Sequence, residues 1–172
     1  FTAVNNGAAP VVATITVTPS ANGCSGTPRT FTITVNPTPT VNAVSNQVIC
    51  NGSNTTAVAF SGAVTGTVYS WTNNTTSIGL AASGTGNIAS FAAVNTGTTP
   101  VTATITVTPS YTNGGVTCTG TPTSFTITVN PTPTVNVVAN QVLCNGSNTT
   151  AVTFTGAVAG TVYTWTNTTT SI

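Results

Sequence analysis

The sequence almost lacks charged side chains. Its 172 residues include one Lys or Arg, no Asp or Glu and no His, so the formal net charge is +1. General acid–base catalysis, paired-carboxylate hydrolysis and most zinc and calcium sites depend on the missing side chains. Arg29 alone cannot form a catalytic or metal site. We therefore expect no enzyme activity, no metal and no cofactor.

Two further absences exclude other classes of protein. Binding to nucleic acid requires several cations that neutralise phosphates, and a membrane span requires about 20 consecutive apolar residues. The sequence has neither. We predict no nucleic-acid partner and no membrane span in this segment. Because 39% of the residues are hydrophobic, the chain also differs from disordered proteins, which combine low hydrophobicity with high charge.

The residues that are present alternate between apolar and hydroxyl side chains. In the stretch 27–42, Phe31, Ile33 and Val35 are separated by threonines, which is the period of a half-buried strand. Asn-Pro-Thr-Pro follows, and proline cannot donate to a β ladder. We predict that Pro37 and Pro39 end the strand and form a stiff linker, as do Pro131 and Pro133 in the second copy.

The sequence repeats itself. The stretch 27–42 returns at 121–136, and 41–73 returns at 135–167, in both cases displaced by 94 residues. We interpret residues 37–130 as one complete repeat, residues 1–36 as the C-terminal part of a preceding repeat, and residues 131–172 as the N-terminal part of a following one. We expect the chain to be a segment of a longer protein.

The spacing of short strands predicts the fold class. We place strands in the complete repeat near 40–44, 57–61, 67–72, 77–82, 87–94, 100–108 and 123–129. About seven short strands separated by Gly, Asn, Ser and Pro predict an all-β protein of tandem immunoglobulin-like β-sandwich repeats. Phe60, Trp71, Phe125 and the repeated Trp165 are predicted core residues.

The cysteines occupy equivalent positions in the two copies, Cys24 with Cys118 and Cys50 with Cys144. Two per repeat indicate one disulfide per repeat and an oxidising compartment. The simplest pairing joins Cys50 to Cys118 and leaves Cys24 and Cys144 to partners outside this segment. These positions lie at opposite poles of an ordinary sandwich, so a bond between neighbouring repeats is the alternative.

Four stretches resemble a known family. They are ICNGS (49–53), TVYSWTN (67–73), TITVTPSANGC (14–24) and TFTITVNPTPT (30–40). Together they resemble the PKD-like, immunoglobulin-like repeats of very large surface proteins of gliding and related bacteria, including gliding adhesins exported by the type IX route. The resemblance implies a secreted protein at the bacterial cell surface. Unlike the better-known PKD pattern, Trp71 is followed by Thr-Asn-Asn and not by an acidic turn.

Because the sequence predicts no catalytic site, we expect function to depend on the protein surface. The sequence contains seven Asn-x-Ser/Thr triplets, which are acceptor sites for glycans. Because the chain is rich in Asn and Thr, we expect such triplets to arise by chance. They begin at Asn51, Asn54, Asn73, Asn74, Asn145, Asn148 and Asn167. Outward threonines could bind glycans or water, although threonine is also the ordinary polar residue of strands. Strand edges without charge favour pairing with other strands.

These observations predict a structural repeat of an extracellular filament or stalk that associates with copies of itself. Two alternatives stay open. The repeats could bind cell-surface glycans directly as an adhesin, or they could be a passive spacer in a large secreted enzyme.

Overall fold

The computed structural model describes residues 1–169 and is almost entirely β. The strands are β1 (Val11–Val17), β2 (Ser20–Ala21), β3 (Cys24–Ser25), β4 (Arg29–Val35), β5 (Gln47–Cys50), β6 (Val68–Asn73), β7 (Ser83–Thr85), β8 (Val101–Asn113), β9 (Val116–Thr119) and β10 (Thr123–Asn130). One short 3-10 helix covers Thr76–Ile78. No α-helix occurs in residues 1–169, which agrees with the predicted all-β class.

The main sheet is built from residues 47–130. Its strand order is β5-β10-β8-β6-β7, and β9 pairs with the far end of β8. All pairs are antiparallel except β5 with β10, which runs parallel from Gln47 opposite Ile127 to Cys50 opposite Asn130. The strands that have a partner on one side only, β5, β7 and β9, are four, three and four residues long.

A second layer covers one face of this sheet. It consists of the segments 54–60 and 88–92, which are joined by isolated bridges between Val58 and Ile88 and between Asn54 and Ala92. The arrangement is consistent with a β-sandwich. The strands expected at 40–44, 57–61, 77–82 and 87–94 are absent there, because those segments form loops, single bridges and the 3-10 helix.

The core lies between the sheet and this second layer. Alternate residues of β8 and β10 point inward, and Ile105 and Ile127 have almost no exposed surface. The outward residues between them are threonines and serines, as the alternating pattern predicts. Trp71 packs over Gly84 of β7, where an added Cβ would collide with the indole ring. The Trp71 indole N–H is buried and has no hydrogen-bond partner among the described residues.

The N-terminal segment forms a two-stranded hairpin of β1 and β4, with Ile15 opposite Phe31. It matches β8 and β10 in sequence and register, since Ile105 lies opposite Phe125. Residues 131–169 form no strand. Only the middle of the described chain is therefore a closed unit with a buried core.

Candidate functional site

The contact between the N-terminal hairpin and the main unit is built by an elongated turn. Residues 111–118 (YTNGGVTC) replace the four residues 21–24 of the preceding copy. Asn113 and Val116 are paired, and Gly114 and Gly115 between them both have positive φ angles (59° and 78°). This combination is typical of a tight two-residue hairpin turn. The longer hairpin carries Asn113 to Asn36 at the end of the N-terminal hairpin.

Asn36 and Asn113 are joined by two hydrogen bonds. The Asn36 side-chain amide donates to the backbone carbonyl oxygen of Asn113 (3.0 Å), and the Asn113 side-chain amide donates to Asn36 Oδ1 (2.8 Å). A cavity of about 580 Å³ lies beside this pair and is lined by Ala3, Ile33, Thr34, Val35, Asn36, Asn113, Gly114, Val116 and Cys118. The contact therefore leaves unfilled space next to the end of β4.

Pro37 and Pro39, predicted as linker residues, are fully buried. A Cβ on Gly120 would collide with the Pro39 carbonyl oxygen, and the Gly120 amide donates to the Pro109 carbonyl (2.9 Å). The connection between the hairpin and the main sheet is thus packed against the main unit at Pro37 and Pro39. In the second copy, Pro131 is buried and Pro133 is exposed.

The structure brings three of the four predicted core aromatics into one cluster. Trp71, Phe60 and Phe125 all belong to the buried core, and the rings of Phe60 and Phe125 are 6.5 Å apart. Trp165, in contrast, is 73% exposed, whereas its equivalent Trp71 is 7% exposed. The difference arises because residues 131–169 have no sheet of their own to cover.

The predicted disulfide between Cys50 and Cys118 is not formed, because all four cysteines of the described chain are free. Cys50 lies opposite Asn130, at the end of the sheet where β8 begins, and Cys118 lies opposite Tyr111, ten residues along β8 from Val101. At about 3.3 Å per residue the two are on the order of 30 Å apart. A disulfide requires Cα atoms within about 7 Å.

Hydroxyl groups cover the outer face of the main sheet, and six of them form three cross-strand pairs. Thr102 binds Thr128 (2.9 Å), Thr106 binds Ser124 (3.0 Å), and Thr112 binds Thr117 (2.8 Å). Cross-strand hydroxyl pairs of this kind stabilise a sheet. They also occupy groups that a glycan would need.

Two of the Asn-x-Ser/Thr asparagines have structural tasks. Asn73 is buried, and its amide donates to the Leu80 carbonyl (3.1 Å). Asn51 Oδ1 accepts from the backbone N–H of Asn95 (2.8 Å). An N-linked glycan is attached to the amide nitrogen, which donates to the Leu80 carbonyl in Asn73 and to the Thr132 hydroxyl in Asn51 (3.2 Å). A glycan would weaken both of these contacts, so the triplets at Asn51 and Asn73 serve the fold.

Residues 1–169 hold no group of three or more metal-ligating His, Cys, Asp or Glu side chains. Over the same range, none of the helical structure is long and apolar enough to cross a membrane. Comparison of the chain with protein-family models, with curated proteins and with solved structures gave no match.

Sequence reasoning missed Asn36, Asn113 and the glycines that pack against backbone carbonyls. The repeat carries a signal for one such glycine, because Gly62 returns in the second copy as Gly156. A Cβ on either glycine would strike the carbonyl of a threonine, Thr40 in the first copy and Thr134 in the second. The Asn36–Asn113 contact has no such signal. It depends on where a hairpin tip ends in space.

Proposed function

We propose that this chain is a structural segment of an extracellular filament or stalk at a bacterial cell surface, built from tandem immunoglobulin-like repeats that associate with one another. The role is mechanical and non-catalytic. The composition supports it, since the side chains that most enzymes use for proton transfer and metal binding are missing.

The observation that carries the proposal is the parallel pairing of β5 with β10, the first and last strands of the main sheet. Tension along a tandem array enters the unit before β5 and leaves it after β10. Two parallel strands pulled from opposite ends slide past each other, so their hydrogen bonds are loaded together and not one after another. A unit with this topology resists extension.

The connections on either side support the same role. Buried Pro37 and Pro39, together with the Asn36–Asn113 pair, attach the hairpin to the unit over a packed contact. A packed contact limits bending between neighbours more than a flexible linker does. An array of such units would be an extended and fairly stiff rod.

The near absence of charged side chains supports an association between repeats that does not depend on salt concentration. Contacts between neutral surfaces depend on apolar burial and hydrogen bonds, which salt screens very little. Because the edge strands β5 and β7 are short, the complete unit itself offers little edge for lateral pairing. We therefore assign the stronger association to contacts between successive repeats, such as the Asn36–Asn113 contact, and the weaker one to the sides of the unit.

Electron microscopy of a recombinant array of several complete repeats tests this function. We expect straight, regular filaments whose thickness exceeds one repeat when the array is concentrated. Isolated, freely bending strands of beads at every concentration would contradict a self-associating filament.

A further inference from the structure

The cysteine of the elongated turn keeps the same partner position in both copies. Cys118 lies opposite Tyr111 in the main unit. In the preceding copy, Cys24 lies opposite Ala21, which is the equivalent of Tyr111. The additional residues of the main unit lie between Tyr111 and Cys118, towards the tip of the turn. The turn therefore differs in length between the copies, whereas the position of the cysteine along the strand does not.

Cys118 lies at the contact between the N-terminal hairpin and the main unit. It is two residues along β9 from Val116, so the two side chains lie on the same face of that strand. Both residues line the cavity beside Asn36. Asn113, which pairs with Val116, is bound to Asn36. This junction thus shows one cysteine, contributed by the residues that follow the connection.

The junction after the main unit shows the other cysteine. Cys50 lies opposite Asn130 in the parallel pair of β5 and β10. The next residue, Asn51, donates its backbone N–H to the Asn130 carbonyl (2.9 Å) and its side-chain amide to the Thr132 hydroxyl (3.2 Å). β5 therefore ends against the connection that leaves the main unit, and its cysteine precedes that connection in the chain.

The two junctions are equivalent in sequence. Asn36 occupies the place in the first junction that Asn130 has in the second, and Pro-Thr-Pro follows both of them. By this equivalence, the Cys50 position of the preceding repeat lies opposite Asn36. Asn36 is the residue that binds Asn113, and Cys118 belongs to the same hairpin as Asn113. One complete junction therefore brings together a Cys50 and a Cys118 from successive repeats.

The Cys50 side chain also lies on the face that this pairing requires. Ile49 packs against the core, so Cys50, the next residue of the strand, points to the outer face and is exposed. Opposite residues of a β ladder share a face, so the side chains of Asn130 and of its equivalent Asn36 lie on the outer face as well. The Asn36 side chain contacts Asn113 from there.

We propose that Cys50 of each repeat forms a disulfide with Cys118 of the repeat that follows it in the same chain. The bond crosses the junction beside the Asn-Pro-Thr-Pro connection, so two covalent links join neighbouring repeats. Cys24 and Cys144 take the Cys118 and Cys50 roles at the next junction on either side. This inference rests on the proposed tandem array and deepens it, because it names the covalent link that holds each junction.

The reaction consumes an oxidised small-molecule disulfide such as oxidised glutathione. One cysteine thiolate attacks this disulfide and releases a first glutathione thiolate. The second cysteine thiolate attacks the mixed disulfide and releases a second one. Two cysteine protons are lost, one sulfur–sulfur bond forms and one breaks, and the oxidant is reduced to two thiols. Within one repeat the same two cysteines are on the order of 30 Å apart, which excludes the bond there.

An array of two complete repeats, residues 37–130 in tandem, tests the pairing, since the main unit has a closed core of its own. Each repeat contributes Cys50 and Cys118. The first variant combines Cys118→Ser in the first repeat with Cys50→Ser in the second, and it keeps only the proposed pair. The matched control combines Cys50→Ser in the first repeat with Cys118→Ser in the second, and it keeps only the other two cysteines.

Both variants are oxidised at low concentration in a glutathione redox buffer, and their remaining thiols are alkylated. The intact mass of the monomer then separates a disulfide from free thiols and from glutathione adducts. We expect the first variant to lose two hydrogen atoms and take up no alkyl group, whereas the control keeps two thiols open to alkylation or glutathione. In urea, the equilibrium constant for the first variant's disulfide should fall by roughly tenfold or more, because the junction no longer holds the thiols together.

Two results would overturn the proposal. One is a first variant that unfolds cooperatively, as a folded array does, and yet keeps both thiols free after oxidation. The other is a control variant that forms its disulfide within the monomer. The proposed function is judged separately by electron microscopy of the same array under reducing conditions. Straight filaments there would leave that function standing without the disulfide.

Discussion

Asn36 and Asn113 are joined by two reciprocal hydrogen bonds across the contact between the N-terminal hairpin and the main unit, at 3.0 and 2.8 Å. They are 77 residues apart in the chain. Asn113 sits at the tip of a hairpin that is longer than its counterpart in the preceding copy. The longer hairpin thus provides the contact between the N-terminal hairpin and the main unit.

Asn113→Ala should loosen this contact. The substitution removes the bond that the Asn113 amide donates to Asn36, which contributes about 1 kcal/mol, and keeps the bond that the Asn36 amide donates to the backbone carbonyl of residue 113. The hairpin should therefore tumble faster than the main unit in ¹⁵N NMR relaxation measured on dilute protein. Thr117→Ala is the matched control, since Thr117 lies in the same hairpin and its hydroxyl binds Thr112. Equal tumbling of hairpin and unit in the Asn113→Ala protein would show that the asparagines do not hold the contact.

Gly120→Ala should destabilise the main unit by about 3 kcal/mol, because its Cβ would strike the carbonyl of buried Pro39 and force the backbone to move. Gly115→Ala is the control. Gly115 has a φ of 78° but no heavy atom within 4 Å of an added Cβ, so only the conformational cost of about 1 kcal/mol applies. Urea unfolding of both variants measures the difference, and equal losses would refute the packed connection.

Trp71 and Trp165 should respond differently to truncation in the monomer. Trp71→Ala empties a buried site and should cost about 3–5 kcal/mol. Trp165→Ala changes an exposed side chain and should alter the free energy of unfolding by less than about 0.5 kcal/mol. Thermal or urea unfolding at low protein concentration gives both values. A large loss in Trp165→Ala would mean that its ring is already packed in the monomer.

The free energy of unfolding should be flat from about pH 4 to 6.5. Carboxyl and imidazole side chains are the ones that titrate in this range, and the sequence contains none. With no difference in protons bound by the folded and unfolded states, the slope of stability against pH is zero. Urea midpoints measured across this range test the expectation. A shift of more than about 1 kcal/mol would contradict it.

The parts of the fold that follow from local pattern were predictable. Alternating Phe31, Ile33 and Val35 predict β4, and the same pattern in the second copy predicts β10. β5 was missed because the residues Gln47–Cys50 do not alternate. Their pairing is parallel and brings together residues about eighty positions apart, which no local pattern reports.

β8 also exceeds its predicted end, because it continues through Pro109 to Asn113. The Pro109 carbonyl accepts from Gly120, which lies between β9 and β10. The N–H and C=O of a strand residue point to the same neighbouring strand. The N–H that proline lacks would therefore also have faced the segment between β9 and β10. The sequence shows the proline, but only the structure shows that no hydrogen bond between strands is lost there.

The candidate site also contains features that the sequence predicts and features that it does not predict. The repeat and the apolar alternation identify the hairpin's core face, and the predicted aromatics Phe60, Trp71 and Phe125 do pack together. The predicted Cys50–Cys118 disulfide within one repeat was wrong, because the length of β8 separates the two residues and their spacing in the sequence does not show this separation.

Pulling a single chain of several complete repeats from its two ends tests the proposed mechanical role most directly. β5 and β10 pair in parallel, so tension along the chain shears their hydrogen bonds together. Our account predicts that each repeat unfolds at a force well above the force that opens the same repeat across the antiparallel β8–β9 hairpin, whose hydrogen bonds break one after another. Unfolding at the same low force in both pulling directions would contradict a unit that resists extension.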